Sequence, residues 1–161
     1  KHPIFWIEEP ISARSSDKDY LNLIENSKVH LALGENVYND NLINILLRNK
    51  FLRYFQPDIT KYGGISLVHK YINSKYKNKI FLHFLGSGVG LITSAHMMSA
   101  INSNGLLETD FNENPLRDNI FNETIKILNG KIYLNNKPGI GFTLNKKILK
   151  KYIITKFTYK I

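Results

Sequence analysis

Short apolar runs alternate along the chain with longer stretches in which apolar residues recur at helical spacing, and this alternation predicts strands and helices in turn. Phe5-Trp6-Ile7 forms the apolar end of a strand predicted over 1–7 and expected to be buried; it runs into Glu8-Glu9-Pro10, where the proline stops further ladder pairing. Residues 12–16 read as a loop, and Asp17 is the expected cap of a helix carrying Leu21, Leu23 and Ile24 on one side. A strand over 29–33 ends at Gly34-Glu35-Asn36, and Leu42, Ile43, Leu46 and Leu47 place a helix over 39–48. The aromatic run 51–56 ends in Pro57-Asp58, and Gly63-Gly64 allows a tight turn before a helix predicted over 65–76. A minimal strand at 80–82 precedes His83, a glycine-rich loop at 86–90 opens an apolar helix reaching Ile101, and Leu106-Leu107 closes the strand series at Glu108. Beyond it the pattern gives a turn at 112–115, an extended piece at 131–134, a turn at 137–141 and a last helical turn at 146–151.

One rule repeats through this order: an ionisable residue stands where each apolar run stops. Glu8, Glu35, Asp58, His83 and Glu108 follow one another at intervals of 27, 23, 25 and 25 residues. An eight-unit (β/α) barrel of about 250 residues uses roughly 30 residues per strand and helix, and the C-terminal ends of its parallel strands share one rim. Acids also follow strands as helix caps and solvated loop residues, but five in succession point to a common site at that rim. Strand and helix alternate without a linker, so the expected fold class is α/β, a partial (β/α) TIM-type barrel in one domain over 1–161.

Composition narrows the function classes. Hydrophobic residues at 43% and charged residues at 22% are ordinary for a globular protein. No apolar run approaches the roughly 20 residues that span a bilayer, so no membrane partner is expected. No cysteine is present, which excludes disulfides and thiol chemistry. With no secretory leader in the sequence, the cytoplasm is the expected compartment. The net charge of +9 invites a nucleic-acid reading, but the lysines at 70–79 and 146–160 are mixed with Asn, Ile and Tyr, and no aromatic-basic module appears. A basic binding module is therefore a distant third reading, and no nucleic-acid partner is expected.

The strand-end residues carry distinct chemistries. Carboxylates on adjacent parallel strands, Glu8 and Glu35, can converge on one hard divalent cation such as Mg2+. Of Glu8 and Glu9 only one can face the mouth, and periodicity does not choose between them. Asp58 beside His83 would hold one imidazole nitrogen and fix the tautomer, which suits His83 to general acid-base work. Glu108, across the mouth, could donate to a developing oxyanion if protonated, although an isolated acid there is ordinarily solvated. Lys61, in the loop after Asp58, and Asn36 are candidates for contact with a substrate; Lys61 otherwise reads as a surface lysine. His2, His30, His69 and His96 read as capped or solvated. The loop at 86–90 lacks the spacing of a nucleotide-binding loop and reads as a bend beside His83.

Trp6-Ile7-Glu8-Glu9-Pro10, Ala32-Leu33-Gly34-Glu35-Asn36, Gln56-Pro57-Asp58-Ile59-Thr60 with Gly63-Gly64-Ile65, His83, Leu107-Glu108, Asn114-Pro115-Leu116-Arg117 and Pro138-Gly139-Ile140-Gly141 resemble, in this order, the C-terminal part of the enolase superfamily, mandelate racemase subgroup. The resemblance covers nearly the whole chain. It implies a modified barrel with a separate capping domain, bound Mg2+, and abstraction of the proton α to a carboxylate to give an enediolate. By motif, Glu8 and Glu35 would be metal ligands, Asp58 and His83 the base dyad, and Glu108 the acid that stabilises the enediolate. The muconate-lactonizing subgroup places a lysine where Asp58 stands, so the dyad favours a racemase or an acid-sugar dehydratase. The expected partner is a hydroxy acid or sugar acid, in a homo-oligomeric parent enzyme.

The same resemblance places a third metal carboxylate and a second base on strands before Glu8, so these residues look like the fourth to eighth strand units of a barrel. The rival reading is a catalytically inert fragment that folds only with the missing part or a partner, since an opened barrel exposes strand edges and core.

Overall fold

The computed structural model describes residues 2–72, 74–101 and 105–158. Strand and helix alternate through β1 (Ile7–Glu8), α1 (Asp17–Asn26), β2 (Leu31–Leu33), α2 (Asp40–Arg48), β3 (Leu52–Phe55), α3 (Gly64–Ile72) and α4 (Gly88–Ile101). A smaller region follows, with α5 (Pro115–Asp118), the hairpin β4 (Lys126–Leu128) and β5 (Lys131–Tyr133), and α6 (Lys146–Tyr152).

β1, β2 and β3 pair in parallel and in chain order. Beyond β3 the series continues more thinly. Phe55 bridges Ile80 in parallel and accepts the Phe81 N–H at 3.0 Å, and Glu108 N–H donates to Leu82 O at 3.2 Å. Five extended segments therefore lie side by side, but the segments expected as strands at 80–82 and 106–108 form no named strand, and 80–82 joins β3 through an isolated bridge. Segments this short give a ladder little to propagate along.

The sheet has two unlike faces. Leu31, Leu33, Leu52, Phe55, Ile80 and Leu82 point to one side and pack with Ile24, Leu46, Leu47 and Met97 of the helices, forming the main core. Ala32, Tyr54 and Phe81 point to the other, joined by Trp6. The Tyr54 and Phe81 rings stack at 3.8 Å, and Trp6 meets Tyr54 edge-on at 4.9 Å. Strict alternation would put Leu52 and Tyr54 on the same face. They lie on opposite faces because the register runs from Leu31–Leu52 directly to Ala32–Tyr54, leaving Arg53 as an extra residue in a β-bulge.

The expected buried strand at 1–7 is corrected by the structure. Only Ile7 and Glu8 join the ladder, and Ile4 and Phe5 are 63% and 62% exposed, because β1 is an edge strand with no layer over that flank among the described residues. Lys1 lies outside the described residues.

Local chemistry explains most element ends. The N-cap of α1 is Ser16 rather than Asp17: Asp19 N–H donates to the Ser16 hydroxyl while the Asp19 carboxylate takes the Ser16 N–H at 2.7 Å, a reciprocal capping box. Asn39 caps α2, and Lys79 Nζ donates to the carbonyls of Leu47 and Asn49 at its far end. α3 stops at Ile72, short of the expected 76. Ser74 Oγ accepts the Tyr76 N–H and its carbonyl accepts the Lys77 N–H, so the chain leaves the helix in a turn that enters a single 3-10 turn at Lys77–Lys79. Asn73 lies outside the described residues.

α4 is apolar on all sides because it is sandwiched. Met97, Met98 and Ile101 join the main core, while Ile92 joins a second cluster with Ile120 and Phe121, against which Val89, Ile132, Phe142 and Leu149 pack. Of the two readings of His96 on this helix, capped or solvated, the structure gives the first: its Nε2 lies 3.1 Å from Ile140 O, tying α4 to the turn at 137–141. The hairpin turn Asn129-Gly130 has φ of 51° and 69°, the two left-handed residues of a tight two-residue connection. No helix among the described residues is long and apolar enough to cross a membrane.

Candidate active site

The site is built where the inner face of the sheet ends. Alternation from Tyr54 carries Asp58 to the inner side, and alternation from Phe81 does the same for His83. Asp58 Oδ1 is taken by Thr60, through its N–H at 2.7 Å and its hydroxyl at 2.6 Å. Oδ2 is left for His83 Nδ1, at 3.0 Å. Both side chains are buried, at 2% and 3% exposure, so this pair is sheltered from water.

The second ring nitrogen, Nε2, contacts the Glu35 carboxylate. Glu35 also receives Lys61 Nζ at 3.0 Å and Asn36 Nδ2 at 3.0 Å. Lys61, expected to be free for a substrate or for solvent, is thus paired with a carboxylate, and Asn36 is engaged as well.

The choice between Glu8 and Glu9, open in the sequence, is made by the backbone. Glu8 shares the face of Trp6, whose Nε1 donates to Glu8 Oε2 at 3.3 Å. Glu9 has φ of 39°, which turns the chain out of the strand and sends its carboxylate to the Gly34 N–H at 2.8 Å. Burial raises the Glu9 carboxyl above the usual carboxylate range, against the pull of the Gly34 and Asn36 hydrogen bonds.

Glu108 is half-buried rather than freely solvated. Burial pushes its carboxyl above the usual range, the nearby His83 opposes this, and the charges of Glu8 and Glu35 add to it. One of its oxygens, Oε2, is buried without a hydrogen-bond partner. A carboxyl in that condition favours its proton and can donate. Glu8, Glu35, Asp58, His83 and Glu108 therefore border one mouth, linked by contact or by mutual charge.

The donor chemistry at this mouth suits a hard cation: Glu8 and Glu35 offer carboxylate oxygens, and Glu35 already carries a cation, the Lys61 ammonium. Two such ligands make part of a site. Among the described residues, no three His, Cys, Asp or Glu side chains are grouped to hold a metal ion.

Some contributors gave little sign in the sequence. Thr60 fixes the orientation of Asp58, a role foreshadowed by the Asp-x-Thr turn spacing. The glycines at 86–90 let α4 approach the Phe84 ring, and a side chain at Gly88 would stand 2.6 Å from Arg117 O. They make the bend expected beside His83.

A parallel strand-helix series with its ionisable side chains gathered at the strand ends is the arrangement of a (β/α) barrel. The chain belongs to the enolase C-terminal domain-like family, whose model matches residues 1–148. It is 32% identical over 155 residues to the arabinonate dehydratase of Saccharolobus solfataricus, covering 92% of this chain and 40% of the relative. It resembles the solved mandelate racemase/muconate lactonizing enzyme of Bordetella bronchiseptica with 30% identity and a TM-score of 0.74, over 92% of this chain and 42% of the other. An enolase from Pantoea ananatis, solved with bound D-gluconate and Mg, shares the fold with a TM-score of 0.72 at 23% identity, over 92% of this chain and 36% of that one. Acid-sugar dehydratases and a cycloisomerase recur among the relatives. The chain spans about 40% of the length of the curated relatives it matches, and its fold is a partial TIM-type barrel.

Proposed function

We propose that residues 1–161 are the C-terminal portion of the barrel catalytic domain of a Mg2+-dependent acid-sugar dehydratase or racemase, which abstracts the proton α to a carboxylate. The observation that carries this reading is the His83 ring, buried and held through Nδ1 by Asp58 at the mouth. With Nδ1 held by Asp58, Nε2 is the nitrogen that would turn to a substrate, once Glu35, which it contacts here, goes to the metal. It would take the proton from the α-carbon, leaving the electron pair delocalised onto the carboxylate as an enediolate. In a dehydratase the resulting imidazolium would return that proton to the departing 3-hydroxyl, which leaves as water. In a racemase His83 would keep the proton it took, and a second base would deliver its own proton to the α-carbon on the opposite face.

Glu108, with an unpartnered buried oxygen and a raised carboxyl pKa, would donate a hydrogen bond to the developing oxyanion. Lys61 would leave Glu35 to meet the substrate carboxylate, with Asn36 beside it. Glu8 and Glu35 would hold the Mg2+, which supplies positive charge to the acid's carboxylate when bound.

The test is solvent deuterium incorporation at the α-carbon of a sugar acid, followed by NMR in a complete barrel containing this chain. His83→Asn should abolish exchange at one face while metal affinity stays within about threefold, since the ring is placed outside the ligand set. Equal loss of metal binding would refute that division of roles. A second reading, that the chain is inert by itself, is favoured by the exposed Ile4 and Phe5 and by the incomplete ligand set. It requires that Mg2+ leave the melting temperature of the 161-residue chain unchanged, since only a ligand bound by the folded form raises it.

A further inference from the structure

Glu9 adjoins the mouth without joining it. Its Oε1 accepts the Gly34 N–H at 2.8 Å, and its Oε2 lies 3.4 Å from Asn36 Nδ2. The same Asn36 Nδ2 reaches Glu35 Oε1 at 3.0 Å. One carboxylate at the end of β1 thus holds the residues on both sides of Glu35, across 25 and 27 positions of sequence.

The turn at 34–36 is also tied by Val37 N–H donating to Gly34 O and by the Tyr38 hydroxyl donating to Glu35 O, both at 3.1 Å, but neither satisfies the Gly34 N–H. Gly34 has φ of +152°, and a Cβ there would lie 2.6 Å from the Gln56 backbone nitrogen, so position 34 supplies no side chain to anchor itself. Its N–H needs a partner brought from elsewhere. Behind Glu9 stands Tyr20, 2% exposed, whose hydroxyl has no hydrogen-bond partner and feels the charge of Glu9. The left-handed backbone of Glu9 lets two consecutive acids serve different surroundings.

We propose that Glu9 is a positioning residue: it clamps the Gly34–Asn36 turn and thereby sets the Glu35 carboxylate against His83 and Lys61, touching neither substrate nor metal. The importance of that placement rests on the reading of Glu35 as a metal-binding rim carboxylate; the clamp itself does not.

The experiment compares Glu9→Ala and Glu9→Gln in the 161-residue chain, with circular dichroism as the control for folding. Two quantities are read: exchange of the Gly34 amide by NMR, and affinity for Mn2+ from paramagnetic broadening near Glu35. Glu9→Ala should speed Gly34 exchange at least about tenfold, as a protected N–H loses its acceptor. It should also weaken Mn2+ binding about 10–100-fold, the usual effect of removing a group that orients a ligand. Glu9→Gln keeps an acceptor for Gly34 and should restore both to within a few-fold of wild type. Unchanged Gly34 exchange in a folded Glu9→Ala chain overturns the proposal, as does failure of Glu9→Gln to restore it. If Glu9→Ala does not fold, restored exchange protection in Glu9→Gln decides for the clamp and lost protection decides against it. If the wild-type chain binds no Mn2+, the metal reading fails while the exchange arm still decides the clamp.

Discussion

The two faces of the parallel sheet differ in what covers them. On the outer face, Leu33, Leu52, Phe55, Ile80 and Leu82 are all at 0% exposure under a layer of helices. On the inner face, Tyr54 and Phe81 are at 8%, buried largely by each other and by Trp6, while Ile4 and Phe5 beyond them stand open. Helix packing from outside can thus hold the strand ends in place while the side that bears the chemistry stays open. Stability and site geometry are supplied from opposite sides of the same backbone.

The sharpest way to break this comparison is to remove a large side chain from each face. Phe55→Ala should cost about 3–5 kcal/mol in urea unfolding, because its cavity lies in a closed core. A loss below about 1 kcal/mol would mean that the outer layer does not carry the fold. Gly34→Ala comes next, at about 1–3 kcal/mol, because its Cβ meets the Gln56 backbone and its φ lies in the glycine region.

Glu108→Gln sharpens the comparison through pH. The folded state raises the Glu108 carboxyl above 4.5, so the wild type has its full stability below that pH and loses part as pH rises through the higher folded value. The neutral amide has no such loss. The variant's advantage in melting temperature, measured in a chelator, should therefore be absent near about pH 4 and grow towards about pH 7. A gap that shrinks with rising pH would contradict the buried, proton-favouring placement. Phe5→Ser should have the smallest effect, within about 0.5 kcal/mol, because that ring is exposed. A cost comparable to Phe55→Ala would show that something covers the β1 flank in solution.

The repeated ionisable residue after each apolar run was legible because strand ends and helix starts impose it locally, and Glu8, Glu35, Asp58, His83 and Glu108 border one mouth. What the sequence hid depends on neighbours across the fold. Ile4 and Phe5 look like core residues until β1 proves to be an edge. The split between Glu8 and Glu9 follows from one left-handed residue, a conformation that composition gives no reason to expect at a glutamate. The stop of α3 at Ile72 comes from Ser74 competing for backbone groups, and β4 went unnoticed although Asn129-Gly130 marks its hairpin. The pairing of Lys61 with Glu35 joins residues 26 apart and has no local signature.

The spare residue at Arg53 has a practical corollary for anyone shortening the protein. Its neighbours Leu52 and Tyr54 already sit against consecutive partners on β2, so excising Arg53 would close the gap and keep both side chains and the Asp58–His83 pair facing as they do. Excising Tyr54 would use up the same spare residue but set Arg53 opposite Ala32, putting a charge against Phe81 where a ring now stacks. That strand has a single expendable link.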